Sequence, residues 1–266
     1  MLSFAVSPVT FRDPFERTSQ SLPIVALIPA RYQSTRFPGK VLAELGGRPM
    51  IEHVYRRAAA ALSVGAVVVA TDDARIAAAV EGFGGVVRLT RSSHLSGTDR
   101  LAEVAEDLTC DIIVNVQGDE PLVEPEMIDE TVAPLQGDSV VAISTLRHRI
   151  TDSADYTNPH VVKVVVDANG DALYFSRAPI PYVRDGASAV PVYRHIGLYA
   201  YRRSFLLAFA RLRPTPLELA ESLEQLRALE HGFRIRTVET QHDSIGVDTP
   251  EDLERVRRLL TADARA

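Results

Sequence analysis

The run from Ile28 to Lys40 places three cations, Arg31, Arg36 and Lys40, within ten residues and beside the hydroxyl of Ser34. Guanidinium groups grip phosphate as planar forks and an ammonium acts as a point charge, so this density suits a triphosphate. It also fits an ordinary solvated basic loop. It is not a Walker A loop, which needs Gly where Ser34 stands and Ser or Thr where Val41 follows the lysine. The chain holds no GxGxxG run either, which disfavours a dinucleotide-dependent dehydrogenase.

Two carboxylates stand where a hard cation could be held. Asp119 ends Val114-Asn115-Val116-Gln117-Gly118-Asp119, and Asp248 precedes Thr249-Pro250-Glu251. Magnesium takes one or two carboxylates and completes its shell with phosphate and water. Each aspartate has a plainer reading, as a turn acid before Glu120-Pro121 or as part of a helix cap. Ser96-Gly97-Thr98 could offer hydroxyl and N–H groups to a nucleotide, or cap a helix starting near Asp99. His94 and His195 could be ligands, acid–base groups or structural residues. Arg177 and Arg184 flank a proline-rich segment and could bind a carboxylate or lie on the surface.

The elements that must position these groups follow from hydrophobic pattern. Ile24–Ile28, Val67–Ala70, Val86–Leu89 and Ile112–Val116 read as strands. Pro49–Leu62, Ala74–Val80 and Thr98–Leu108 read as helices. Alternation of this kind implies a parallel sheet covered on both faces, with ligands beyond the carboxyl ends of its strands. The loops after Ile28, Ala70 and Val116 should therefore share one crevice. Later, Val161–Val166 and Ala172–Phe175 read as a hairpin turning at Asn169-Gly170. His195–Tyr201 and Arg234–Glu239 read as strands and Leu217–Leu229 as one helix. Thr249 caps a last helix that has Pro250 in its first turn and ends near Leu260.

Composition narrows the classes. The 266 residues are 46% hydrophobic and 24% charged, with a net charge of −6. An acidic chain argues against general binding to nucleic acid or to an anionic membrane. No apolar run reaches the roughly 20 residues of a membrane span. Cys110 is the only cysteine, which rules out an intrachain disulfide and fits a reducing, cytoplasmic setting. Residues 1–22 lack a long apolar stretch and read as a loosely ordered extension, dispensable for activity.

One ordered set of blocks goes further: IPARYQSTRFPGK (28–40), VATDD (69–73), TRSSHLSGTDRLAEV (90–104), VNVQGDEP (114–121), NPHVVKVV (158–165), ALYFSRAPIP (172–181), RHIGLYAYR (194–202), PLELAESLEQLR (216–227) and GVDTPEDLERVR (246–257). From about Pro23 to Leu260 the chain resembles the 3-deoxy-manno-octulosonate (Kdo) cytidylyltransferases, or CMP-Kdo synthetases. The IPAR and GD loops are common to sugar nucleotidyltransferases; the SRAPIP, RHIGLY and LEQLR blocks point to Kdo. The resemblance implies an α/β fold of nucleotidyltransferase type, Rossmann-like and mostly parallel. It implies one domain over residues 23–266, with a smaller dimerisation lobe inserted at about 155–205, and a homodimer. The segment from Asp185 to Pro191 is shorter than the family pattern.

The implied activity joins CMP from CTP to the 2-hydroxyl of Kdo, activating the sugar for lipopolysaccharide synthesis. By the same resemblance Arg31, Ser34, Arg36 and Lys40 line the CTP phosphates, and Thr71, Asp72, Ser96, Gly97 and Thr98 enclose cytidine. Asp119 and Asp248 hold Mg²⁺, so that Arg31, Lys40, Asp119 and Asp248 form the catalytic set. Gln117, Arg177, Arg184, His195, Tyr199 and Glu224 contact the sugar acid. A cytidylyltransferase for another sugar acid and an inert nucleotide-binding scaffold are the rival readings, and the presence of Lys40, Asp119 and Asp248 disfavours the second.

Overall fold

The computed structural model describes residues 24–33, 37–184 and 190–263. The extension at 1–22, Ser34, Arg36 and most of the short segment after Arg184 lie outside the described residues.

Strand β1 (Ile24–Ala30) shows why a doubly covered sheet forms. Ile24, Ala26, Ile28 and Ala30 face one apolar cluster, while Val25 and Leu27 face another. Successive strand residues point to opposite faces, so an apolar run with no polar alternation needs cover on both. Helices α1 (Met50–Ala60), α2 (Ala74–Gly82) and α4 (Pro125–Gly137) supply the first cover, through Ile51, Val54, Ile76, Val80, Met127 and Val132. Helix α3 (Gly97–Glu106) and helix α5 (Arg203–Phe209) supply the second, through Leu101, Val104, Leu206 and Phe209. Each fully buried side chain of this size contributes about 1.5–3 kcal/mol of transfer free energy.

Strands β2 (Ala66–Thr71), β3 (Val86–Leu89) and β4 (Ile112–Asn115) run parallel to β1 in the order β3-β2-β1-β4. The other half of the sheet is mixed. Strand β5 (Ile143–Arg149), the hairpin strands β6 (Lys163–Val166) and β7 (Ala172–Ser176), β8 (Tyr193–Arg202) and β9 (Arg236–Glu239) complete nine strands. Strand β8 runs antiparallel between β4 and β5, and β9 pairs parallel with β5. The β6–β7 hairpin joins the sheet through β8. The segment expected as an inserted lobe thus includes a strand at the middle of the main sheet.

The expected single helix over Leu217–Leu229 is two: α6 (Pro216–Glu221) and α7 (Gln225–Glu230). Ser222 breaks it, in a left-handed conformation with φ 52°. Helix α8 (Pro250–Asp263) closes the described chain. No helix among the described residues is long and apolar enough to cross a membrane.

Candidate active site

Three cavities adjoin at the carboxyl ends of β1, β2 and β4. The outermost, about 750 Å³, is lined by Arg31, Tyr32, Gln33, Pro38, Asp72, Asp73, Arg75 and Ser92. The middle one, about 450 Å³, shares Arg31 and Gln33 with it and adds Pro29, Lys40, Val41, Gly97, Gln117, Gly118 and Asp119. The innermost, about 180 Å³, shares Gly97 and Gln117 with the middle one. Its remaining walls are Thr98, Asn115, Ile143, Tyr199, Tyr201, Phe209, Glu224 and Gln225.

Lys40 organises the middle cavity. Its Nζ donates to Asp119 Oδ2 at 2.6 Å, to Asp248 Oδ1 at 3.0 Å and to the carbonyl of Val247 at 3.0 Å. The loop before α8 is held there by a backbone bond of 2.8 Å from Val247 N–H to the Asp119 carbonyl. Burial alone would lower the ammonium's pKa, but the two carboxylates outweigh it and hold Lys40 above the usual lysine value. Asp248 does not cap α8. Thr249 and Asp252 do, with Asp252 Oδ2 accepting from the Asp248 and Thr249 N–H groups. Asp248 is left to face Lys40.

Two glycines permit this approach. Gly39 adopts φ +72° beside the Tyr32 ring, where a Cβ would come within 3.0 Å, and its N–H closes the loop on the Tyr32 carbonyl at 2.7 Å. At Gly118 a Cβ would lie 2.9 Å from the Pro29 carbonyl, so only glycine lets the loop carrying Asp119 pass the end of β1.

Arg31 donates to the carbonyls of His94 at 2.8 Å and Leu95 at 3.4 Å, bringing the segment before α3 against the loop after β1. Asp72 lines the outer cavity, and the buried Arg100 lies behind it with Nη2 3.1 Å from its carboxylate. Thr71 is buried, its hydroxyl accepting from Asp73 N–H. Ser96 behaves as the cap of α3 in a capping box with Asp99. Gly97 lies at the junction of the middle and inner cavities. Thr98 faces the inner cavity, where its hydroxyl donates to Glu224. Thr98 thus shares a cavity with Gly97 but not with Asp72, which it was expected to join around cytidine.

The inner cavity has an aromatic wall, Tyr199 stacked on Tyr201 and Tyr201 on Phe205. Its acid is Glu224. Burial raises that carboxyl's pKa, while hydrogen bonds from Thr98 and Ser96 and the nearby Arg227 pull the other way. Among the described residues Glu224 Oε1 is buried without a hydrogen-bond donor, and Arg227 Nη2 is 3.7 Å away. Such an oxygen is costly unless a ligand donates to it. Gln117 donates to the Gly197 carbonyl at 3.2 Å, which fixes its amide at the boundary.

Arg177, Arg184 and His195 line none of these three cavities. The Arg177 side chain donates to the carbonyls of Glu221 at 2.8 Å, Pro159 at 3.1 Å and Ser222 at 3.5 Å. Arg184 is exposed at the edge of the described chain. His195 packs between Phe175 and Tyr199, 2.9 Å from the Thr145 hydroxyl, and burial lowers its pKa to about 3, so it is a neutral support behind the tyrosine wall. Asn115, Tyr201 and Gln225 are cavity residues that the sequence reading missed. The first two were within reach of it: Asn115 is two residues before Gln117 and Tyr201 two after Tyr199, on the same face by strand periodicity.

Comparison with known proteins identifies the chain's relatives. The cytidylyltransferase family model matches residues 25–237. The 3-deoxy-manno-octulosonate cytidylyltransferase of Geobacter metallireducens is 60% identical over 248 residues, spanning 90% of this chain and 98% of that protein. That of Syntrophobacter fumaroxidans is 58% identical over 245 residues, spanning 91% and 98%. A solved CMP:2-keto-3-deoxy-manno-octonic acid synthetase complexed with CTP superposes with a TM-score of 0.87 at 46% identity, covering 91% of this chain and 99% of that one. A 4-diphosphocytidyl-2C-methyl-D-erythritol synthase from Anaerococcus prevotii, 16% identical with a TM-score of 0.60, shares the fold. With matches of this identity along nine-tenths of its length, the chain belongs to the 3-deoxy-manno-octulosonate cytidylyltransferase family.

Proposed function

We propose that this protein transfers CMP from CTP to the 2-hydroxyl of Kdo, releasing pyrophosphate. The observation that carries the reading is the continuity of the three cavities through shared residues: Arg31 and Gln33 at one junction, Gly97 and Gln117 at the other. The outer cavity suits the nucleoside, the middle one with Lys40 the phosphates, and the inner one, polar at Glu224 and aromatic at Tyr199, a polyhydroxylated sugar. A sugar oxygen at the Gln117 boundary is placed to meet the α-phosphorus.

In the reaction the 2-hydroxyl oxygen bonds to the α-phosphorus in line with the departing bridge oxygen. The α–β phosphoanhydride bond breaks, the hydroxyl proton leaves to solvent and pyrophosphate carries away the negative charge. Lys40 and Arg31 stabilise charge that builds on the phosphoryl oxygens. Glu224 Oε1 accepts from a sugar hydroxyl, orienting the nucleophile. The residues present also fit Mg²⁺. Two carboxylates from distant parts of the chain, Asp119 and Asp248, converge on one cationic group, that of Lys40. Such a pair, completed by phosphate and water, suits a hard ion of this size. Asp119 and Asp248 would hold it, and it would supply charge neutralisation at the triphosphate.

The enzyme works as a cytoplasmic homodimer in this reading. The exposed Tyr182, Val183 and Val190, which flank residues 185–189, support a subunit contact there. Pyrophosphate release over a matrix of CTP, UTP and ATP with Kdo, sialic acid and a neutral sugar tests the activity. Turnover is expected for CTP with Kdo in the presence of Mg²⁺. Turnover of ATP with a neutral sugar, and none of CTP with Kdo, overturns it.

A further inference from the structure

Glu103 stands on α3 and lines none of the three cavities. Its Oε2 nevertheless gathers the segment before that helix. It accepts from Arg91 N–H at 3.2 Å and from Arg91 Nε at 3.4 Å, and it meets His94 Nε2. The far end of the same segment presents the His94 and Leu95 carbonyls that hold the Arg31 guanidinium. Apolar burial does not hold the segment in place: Arg91, Ser92 and Ser93 are exposed, Leu95 is 92% exposed, and the one largely covered side chain, His94, meets Glu103. Among the described residues, the carboxylate is the one group that contacts both Arg91 and His94.

We propose that Glu103 is a positioning residue for nucleotide binding, folding residues 91–95 so that two carbonyls hold Arg31 over the phosphate cavity. An arginine side chain loses considerable rotamer freedom when it is fixed, and a fork already held in place loses less when the phosphate arrives. The polar chain runs from Glu103 to Arg91 and His94, through the backbone of the segment to Arg31, and from there to the triphosphate. This rests on the reading of Arg31 as a phosphate ligand.

The test measures CTP dissociation constants by calorimetry and both KM values for wild type, Glu103→Ala, Glu103→Gln, Arg31→Ala and the Glu103→Ala/Arg31→Ala pair. Glu103→Ala is expected to weaken CTP by about tenfold, as the loss of a charge-assisted contact would, with KM for Kdo changed by less than about twofold. Glu103→Gln keeps an acceptor oxygen and should recover most of the loss. The pair should bind CTP no worse than Arg31→Ala alone, since a residue acting through another adds nothing once that other is gone. Unchanged CTP affinity in Glu103→Ala overturns the proposal. So do equal losses for both substrates, or losses that multiply in the pair. A wild-type protein that binds no CTP overturns the functional reading itself, whereas wild-type binding matched by Glu103→Ala overturns only the role of Glu103.

Discussion

The Nζ of Lys40 lies 2.6 Å from Oδ2 of Asp119, though 79 residues separate them in the chain. The bond ties the loop after β1 to the loop after β4, and through Asp248 it also ties in the loop before α8. Replacing either carboxylate with its amide keeps the shape and removes the charge. Asp119→Asn and Asp248→Asn should each lower kcat by on the order of 10²-fold or more, the scale of lost electrostatic stabilisation at a reacting phosphoryl group. The thermal transition of each variant should remain cooperative. Near-normal turnover of both at limiting Mg²⁺ would remove them from the reaction.

Glu224→Gln separates the two substrates. Among the described residues no donor is placed on the buried Oε1 of Glu224, so a sugar hydroxyl suits it. The variant should raise KM for Kdo by about tenfold or more and leave KM for CTP within about twofold, in keeping with a hydrogen bond to a charged group. Steady-state kinetics with each substrate varied in turn checks this, and a change confined to CTP would contradict it.

Arg177→Met should act on the same side. Its guanidinium holds the carbonyls of Glu221 and Ser222, immediately before the turn that carries Glu224. Losing those bonds frees a left-handed non-glycine residue to relax, since that conformation is held against a cost of about 1–2 kcal/mol. KM for Kdo is expected to rise more than KM for CTP, with a lowered melting temperature. Sedimentation of the variant shows whether the oligomer is intact, and an unchanged KM for Kdo in an intact oligomer refutes the link.

His195 gives the fold a pH dependence of known sign. Burial lowers its pKa from an ordinary 6.5 to about 3. Between those values the unfolded chain takes up a proton that the native chain refuses. The contribution is therefore fully present above pH 6.5 and is lost as pH falls toward 3, by up to about 1.4 kcal/mol per pH unit. Urea unfolding at pH 7.5 and at pH 5.5 should show this loss in the wild type and a flatter response in His195→Gln. Equal slopes would show that the imidazole protonates in place.

The parallel half of the sheet was legible because β1, β2 and β4 are unbroken apolar runs ending in polar loops, and such strands have one common arrangement. The loops bearing Arg31, Asp72 and Asp119 followed from it. In the mixed half the β6–β7 hairpin, β8 and β9 were legible as strands, whereas β5 and the order of the strands were not. Strand β5, Ile143–Arg149, is buried for four residues and then progressively exposed, so it shows neither alternation nor a clean apolar run. Periodicity also says nothing about which strand lies beside β8. Leu219, Leu223 and Leu226 fit one helical stripe at i, i+4 and i+7, whereas the break at Ser222 goes with tertiary contacts from Arg177 that local propensity does not contain. The inward turn of Glu224 depends on that break. For the same reason Arg177 reads from its sequence block as a sugar contact while its donors go to backbone carbonyls.

Strand β8 enters the sheet antiparallel beside β4, and this divides the chain's labour along its length. Arg31, Lys40 and Asp72 of the outer and middle cavities precede it, with Asp248 alone returning to Lys40 from the loop before α8, whereas Tyr199, Tyr201, Glu224 and Gln225 of the inner cavity lie on it or after it. Strand β4 and the loop that follows, with Asn115 and Gln117, join the two vocabularies, along with the start of α3. The acceptor half can therefore be exchanged or evolved as a cassette. Grafting residues 193–230 from a relative that prefers a different sugar acid should retune the acceptor while the apparatus for the nucleoside triphosphate is inherited unaltered.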